Sequence, residues 1–228
     1  MDNIDTFIKL LSKKTPFAFS RFNDGEILAM AQESGFTARG DQEINKFLKE
    51  NLVRCAKHEQ KNYWKGVPCG TCFPKHREIA DSIIGDKYKY RCAATVFTNN
   101  NWRYFIKHFP EVIKDREIVF ISGNDQNPSK LWFLSVMTKL HVSMPNKNSF
   151  RYYEIVRDNK ELLESFVPGK VILLSCGPLS RVLCCDWFQE HKECTFIDIG
   201  STFDPFTRNV WHRCHLGDLP PCPECNNV

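Results

Sequence analysis

The chain has 228 residues, 42% of them hydrophobic and 25% charged, with a formal net charge of +4. That length and apolar fraction support one sizeable core. The mixed-sign charge argues against a nucleic-acid partner and is compatible with a small anionic substrate. No run of about 18 apolar residues is present to span a membrane. Residues 1–20 lack the basic start, apolar run and small-residue cleavage site of a signal peptide, so a soluble, cytoplasmic protein is expected. Eleven cysteines are spread along the chain; an odd count without framework spacing fits reduced thiols better than secreted disulfides.

Taken in chain order, Ile4, Phe7, Ile8 and Leu11 recur at helical spacing, and the short apolar piece FAFS at 17–20 reads as a strand. A helix is expected to open at GEILAMAQES, just after the polar turn RFND. Asp41 is suited to cap a further helix whose inner face carries Ile44, Phe47, Leu48 and Leu52. In TNNNWRYFIKHF, at 98–109, Trp102, Phe105, Ile106 and Phe109 share one helical face, which favours core packing over stacking on a base or sugar; Arg103 is a candidate donor contact. EIVFIS at 117–122, VILLS at 171–175 and TFIDI at 195–199 are continuous apolar runs of strand length, the pattern of strands buried on both faces. Between the last two lies a helix with Pro178 in its first turn and Leu179, Val182, Leu183 and Trp187 on one side. Strand, helix, strand in this order predicts a parallel crossover. The fold class is therefore α/β, one domain over residues 1–206 with a mostly parallel sheet flanked by helices, followed by a Cys/His-containing tail at 207–228. Its ligand crevice belongs at the carboxyl ends of the strands.

Arg21, Asp24 and Glu26 fall at that rim. Two carboxylates one residue apart can share a magnesium or manganese ion, and an arginine fork can hold a phosphate oxygen. The same residues would also serve as an N-cap, a first-turn acid and their ion-pair partner. Gly177 lies in a Gly-Pro turn that presents a helix N-terminus suited to phosphate. Asn146 and Asn148 offer hydrogen bonds to a ribose, base or sugar, although asparagine in turns commonly bonds backbone instead. Asp198, Ser201 and Asp204 follow the last strand, where a carboxylate can act as a general base. Two Cys-x-x-Cys pairs, Cys69/Cys72 and Cys222/Cys225, have the composition of a four-thiolate zinc site, with Cys214 and His215 nearby. However, 149 residues lie between the pairs, far beyond the spacing of a compact finger.

RFNDGE closely resembles the Arg-Phe-Gly-Asp-Gly-Glu signature of the GT-D type glycosyltransferases. SMPNKNSFRYYEIV at 143–156 and the Gly-Pro-centred stretch at 171–201 resemble later motifs of that family, in the same order. The resemblance covers roughly residues 16–206 and implies a Rossmann-like domain that transfers a sugar from a UDP-sugar to a glycan acceptor. It implies that Asp24 and Glu26 are both the catalytic metal pair and the manganese or magnesium ligands, with Arg21 beside the diphosphate. Asn148, Gly177 and Ser201 are further donor-site candidates. Asn23 stands where the family commonly has glycine. Ser201 stands where some members have histidine, which leaves Asp198 and Asp204 as candidate bases. Two other readings use parts of the same sequence: a nucleotide-sugar hydrolase, and a zinc-stabilised nucleic-acid-binding module.

Overall fold

In the computed structural model, which describes residues 4–31, 36–38, 42–211 and Cys222, the apolar runs of the sequence form the middle of a seven-stranded sheet. The strands are β1 (Ala18–Arg21), β2 (Phe36–Ala38), β3 (Gln42–Ile44), β4 (Tyr63–Val67), β5 (Arg91–Ala93), β6 (Ile118–Gly123), β7 (Thr138–Met144), β8 (Val171–Ser175) and β9 (Thr195–Asp198). The helices are α1 (Ile4–Ser12), α2 (Asp24–Ala31), α3 (Lys46–Lys57), α4 (Pro74–Ile84), α5 (Trp102–Ile113), α6 (Trp132–Met137), α7 (Tyr153–Arg157), α8 (Lys160–Glu164), α9 (Leu179–Glu190) and α10 (Asp204–Thr207).

The sheet order is β5-β4-β1-β9-β8-β6-β7, and every pairing in it is parallel. β2 and β3 form a separate antiparallel pair. Alternate residues of each central strand feed opposite layers, as the two-residue period of a strand requires. Phe19, Phe120, Leu173 and Ile197 join Phe7, Phe105 and Phe109 of α1 and α5. Ala18, Ile121, Leu174 and Phe196 join Leu48 and Leu52 of α3 and Val182 and Trp187 of α9. Burying each such large apolar side chain is worth about 1.5–3 kcal/mol, so both layers hold the sheet firmly.

Three strands of the seven-stranded sheet escaped the sequence reading, as did the separate pair β2 and β3. β4 carries Lys65 and Gly66 in its middle. Lys65 is nonetheless buried: its Nζ donates to Ala56 O at 2.6 Å and lies 3.9 Å from the centre of the Tyr88 ring. Gly66 is required because a Cβ there would stand 2.9 Å from both Ala94 Cα and the Phe19 ring. β5 is only three residues long, and β7 is an edge strand whose Lys139, His141 and Ser143 break the apolar run.

The α3 boundary also differs from expectation. Asn45 caps this helix, its Oδ1 accepting from Leu48 N at 2.9 Å, while Ile44 ends β3. Asp41 lies outside the described residues. Phe47 is exposed and packs against Tyr153 instead of joining the inner face. α9 is buried on nearly every side, not one, because it lies over β1, β8 and β9. α5 packs as expected, with Trp102, Phe105 and Phe109 buried. No helix among the described residues is long and apolar enough to cross a membrane.

Candidate active site

The carboxyl ends of β1, β6, β8 and β9 open on a cavity of about 500 Å³. Its wall is organised by Arg181, a guanidinium buried in the first turn of α9. Nε lies 3.0 Å from Asp198 Oδ2 and donates to Arg21 O at 2.7 Å; Nη1 donates to Gly177 O at 2.5 Å, and Nη2 lies 3.2 Å from Glu26 Oε1. One side chain thereby ties together the rims of β1, β8 and β9 and the start of α2. Burial works to lower the Arg181 pKa, but Asp198 and Glu26 outweigh it and hold the group above its ordinary value.

Of the two placements open to Asp198, a polar crevice or a buried partner, the structure shows the buried partner, Arg181. Asp198 is fully buried, and its carboxylate accepts from Arg21 N at 3.1 Å and Gly200 N at 3.2 Å in addition to pairing with Arg181. Burial pushes its pKa above the usual carboxylate range, opposed by Arg181 and Arg21. A carboxylate with this many N–H donors acts as a clamp on the cavity wall.

Glu26 lines the cavity, and its second oxygen, Oε2, accepts from Asn23 N at 3.1 Å. This is the backward reach of a capping-box glutamate, with Asn23 preceding the helix. Its ion-pair partner is Arg181, not Arg21. Asp24 is exposed as the first residue of α2 and is not part of the cavity lining. Arg21 does line the cavity, and its guanidinium lies against Gly200: a Cβ on that glycine would stand 2.9 Å from the guanidinium carbon. Gly200 also has φ of +50°, so glycine is needed there for space and for backbone conformation. Among the described residues the Arg21 guanidinium has no ion pair, and its Nε is buried without a hydrogen-bond partner.

Gly177, Ser201 and Asp204 line the cavity. Gly177 has φ of +67° and opens the turn into α9. Ser180 Oγ accepts from Cys176 N at 2.9 Å within that turn. Trp102 Nε1 donates to Thr202 O at 2.8 Å, fixing the loop that carries Gly200 and Ser201. Asp204 is nearly buried and takes a contact of 3.2 Å from Arg208 Nη1. Asn148 is not in the lining: it adopts φ of +54°, and its Oδ1 accepts from Glu43 N at 2.8 Å, joining the loop after β7 to β3. Its neighbours Asn146 and Lys147 line the cavity instead, with Asn146 so close to Gly123 that any side chain at 123 would collide with it.

Sequence reasoning missed Arg181, Asp125, Gln126 and Arg208. Asp125 and Gln126 follow directly on the apolar run that becomes β6, so the rule that ligands meet strand carboxyl ends would have found them. Arg208 Nη2 lies 2.5 Å from Asp125 Oδ2, and Gln126 Nε2 donates to Ser175 Oγ at 2.7 Å. Arg181 had a quieter signal, a charged residue in the first turn of a helix, directly ahead of the apolar run VLCC.

Of the cysteine pairs, Cys69 Sγ and Cys222 Sγ are 3.5 Å apart with Cys72 beside them. Cys214, His215 and Cys225 lie outside the described residues.

No family model matches the chain, and no curated protein does. Solved structures do. Two structures of the domain of unknown function 1792, one of them selenomethionine-substituted and one described as having a distinct glycosyltransferase fold, each superpose with a TM-score of 0.67 at 17% identity. Each match covers 90% of this chain and 80% of theirs. A structure described as a new glycosyltransferase of the same domain type, from Streptococcus sanguinis, gives a TM-score of 0.66 at 16% identity over 92% of this chain and 85% of its own. The chain shares their fold. At this level of identity the likeness concerns architecture.

Proposed function

We propose that this protein is a metal-dependent glycosyltransferase that moves a sugar from a nucleotide-sugar donor, a UDP-sugar, onto a glycan acceptor. The observation that carries this reading is Arg21, an arginine fork with no ion pair among the described residues, held at the sheet's ligand rim beside the N-terminus of α9. Such a fork and such a helix end both favour phosphate oxygens. The cavity volume suits a small-molecule ligand, and the shared fold with structures described as glycosyltransferases supports the reaction class.

The donor atoms at the start of α2 fit a hard divalent cation. Each Glu26 oxygen accepts one N–H or guanidinium contact and keeps a further lone pair, and Asp24 stands exposed at the same helix end. Asp24 and Glu26 would hold magnesium or manganese, which when bound supplies charge neutralisation for a departing diphosphate. Arg21 binds a phosphate oxygen, and Arg181 orients Glu26. Asp125, one-third exposed where Asp204 is nearly buried, takes the proton of the acceptor hydroxyl as that oxygen bonds to the anomeric carbon and the bond from that carbon to the diphosphate oxygen breaks, the pair of electrons leaving with UDP.

The test is a thermal-shift series with UDP and nucleotide sugars, with and without manganese, followed by assay of UDP release. A true donor at about 100 times its dissociation constant adds about 2.7 kcal/mol and raises Tm by about 5–10 °C. UDP release must then accelerate on adding an acceptor glycan. Equal release of UDP and free sugar whatever the acceptor would make the protein a hydrolase, and no shift with any nucleotide sugar would remove the donor reading.

A further inference from the structure

We infer that Cys69, Cys72 and Cys222 bind a structural zinc ion that fastens the tail of the chain to the edge of the sheet. Cys69 follows β4 by two residues, Cys72 lies one turn further on, and Cys222 returns from far along the chain to meet them. The ligand sulfurs all lie within 4.8 Å of one another, and Cys69 Sγ to Cys222 Sγ is 3.5 Å. Four thiolates arranged tetrahedrally at zinc–sulfur distances of about 2.3 Å have sulfurs about 3.8 Å apart, so the cluster already has the dimensions of a metal site. The 3.5 Å separation is well beyond the roughly 2.05 Å of a disulfide.

Two further observations support zinc. Cys72 N donates to Cys69 Sγ at 3.4 Å, so the turn folds Cys72 back beside Cys69. In addition, Cys69 and Cys222 pack with Ala93, at the end of β5, as a small cluster separate from the two main layers. An ion here would supply the binding energy that a three-residue apolar cluster cannot. Cys225 repeats after Cys222 the spacing that separates Cys72 from Cys69 and lies outside the described residues. Soft thiolate donors select zinc over the hard cations suited to the carboxylates of α2. Coordination releases the thiol protons to solvent and involves no change of oxidation state.

This inference is independent of the transferase reading. The full-length protein, purified under reducing conditions without added metal, is analysed for metal content and for reactive thiols, mapped by peptide mass before and after chelation. Expected are about one zinc per chain and the appearance, as zinc leaves, of reactive thiols at Cys69, Cys72 and Cys222. Cobalt substitution should give the charge-transfer absorption of a tetrahedral thiolate site. Cys72→Ser, at the exposed ligand, should lower zinc retention during dialysis against chelator by tenfold or more. Zinc below about one-tenth per chain with no cobalt–thiolate absorption would overturn the inference. So would a Cys69–Cys222 disulfide in unreduced protein, iron in place of zinc, or chelation that exposes none of these thiols. The thiol map comes from the unmodified chain, so poor folding of a variant does not blur the result.

Discussion

Replacing Arg181 with methionine would keep most of the side-chain volume in α9 while removing the guanidinium that joins Asp198, Glu26, Arg21 O and Gly177 O. Asp198 has no access to solvent, so its carboxylate would lose its buried counter-charge with no water to replace it. Breaking a buried ion pair from one side typically costs about 3–5 kcal/mol. For a chain of this size that corresponds to a Tm lower by about 10–15 °C. The effect can be read from urea denaturation and calorimetry. Arg181→Met combined with Asp198→Asn removes the stranded charge as well and is expected to recover at least half of the loss, because most of the penalty is the orphaned carboxylate. A Tm decrease below about 3 °C for the single variant would refute the account, as would a double variant no more stable than the single one.

Arg21→Gln is expected to weaken UDP-sugar binding about 10- to 100-fold by calorimetry while leaving the unfolding midpoint nearly unchanged, since the guanidinium makes no ion pair among the described residues; equal affinity would remove Arg21 from the donor site. Gly200→Ala forces a side chain into a left-handed conformation and against Arg21, so it is expected to cost about 1–2 kcal/mol and to weaken donor binding; a fully stable, fully binding variant would contradict the packing. Asp24→Asn and Glu26→Gln are each expected to abolish metal-stimulated transfer, measured as UDP release across a manganese titration, and full activity of either variant in excess chelator would exclude the ion. Stability is expected to fall at alkaline pH. Burial pushes the Cys176 and Cys194 thiols up to about 12 and raises Cys184 in the same sense, so above about pH 8.5 the unfolded chain loses thiol protons that the folded chain keeps. Lys65, lowered to about 8 by burial, acts in the opposite sense by one proton between about pH 8 and 10.5. The net slope is about 3 kcal/mol per pH unit, and denaturation midpoints that hold level or rise from pH 8.5 to 10.5 would contradict it.

The parts of the fold that were legible in the sequence are those in which one physical demand dominates. β6, β8 and β9 are buried on both faces and therefore announce themselves as unbroken apolar runs. β4 and β7 are hidden because their polar residues are accommodated by neighbours the sequence does not name, Tyr88 for Lys65 and open solvent for the edge strand. The same holds at the cavity. Arg21, Glu26, Gly177, Ser201 and Asp204 were within reach of motif and strand-end reasoning. The surroundings of Asp198 were not legible, because they depend on Arg181, 17 residues earlier and on another element. The asparagines of the loop after β7 are divided by backbone geometry: Asn148 turns back to Glu43, while Asn146 faces the ligand space.

The order in which the strands are joined has a consequence for biosynthesis. β1, the earliest strand of the sheet in chain order, takes its place between β4 and β9, and β9, the latest, spans residues 195–198. Until that late segment emerges from the ribosome, the nascent chain can assemble β5-β4-β1 and β8-β6-β7 only as two unjoined halves, each with a bare apolar edge. Contacts of such long sequence separation form slowly and leave the chain open to aggregation meanwhile. Refolding yields that decline with concentration are therefore the expected consequence of the position of a single four-residue strand.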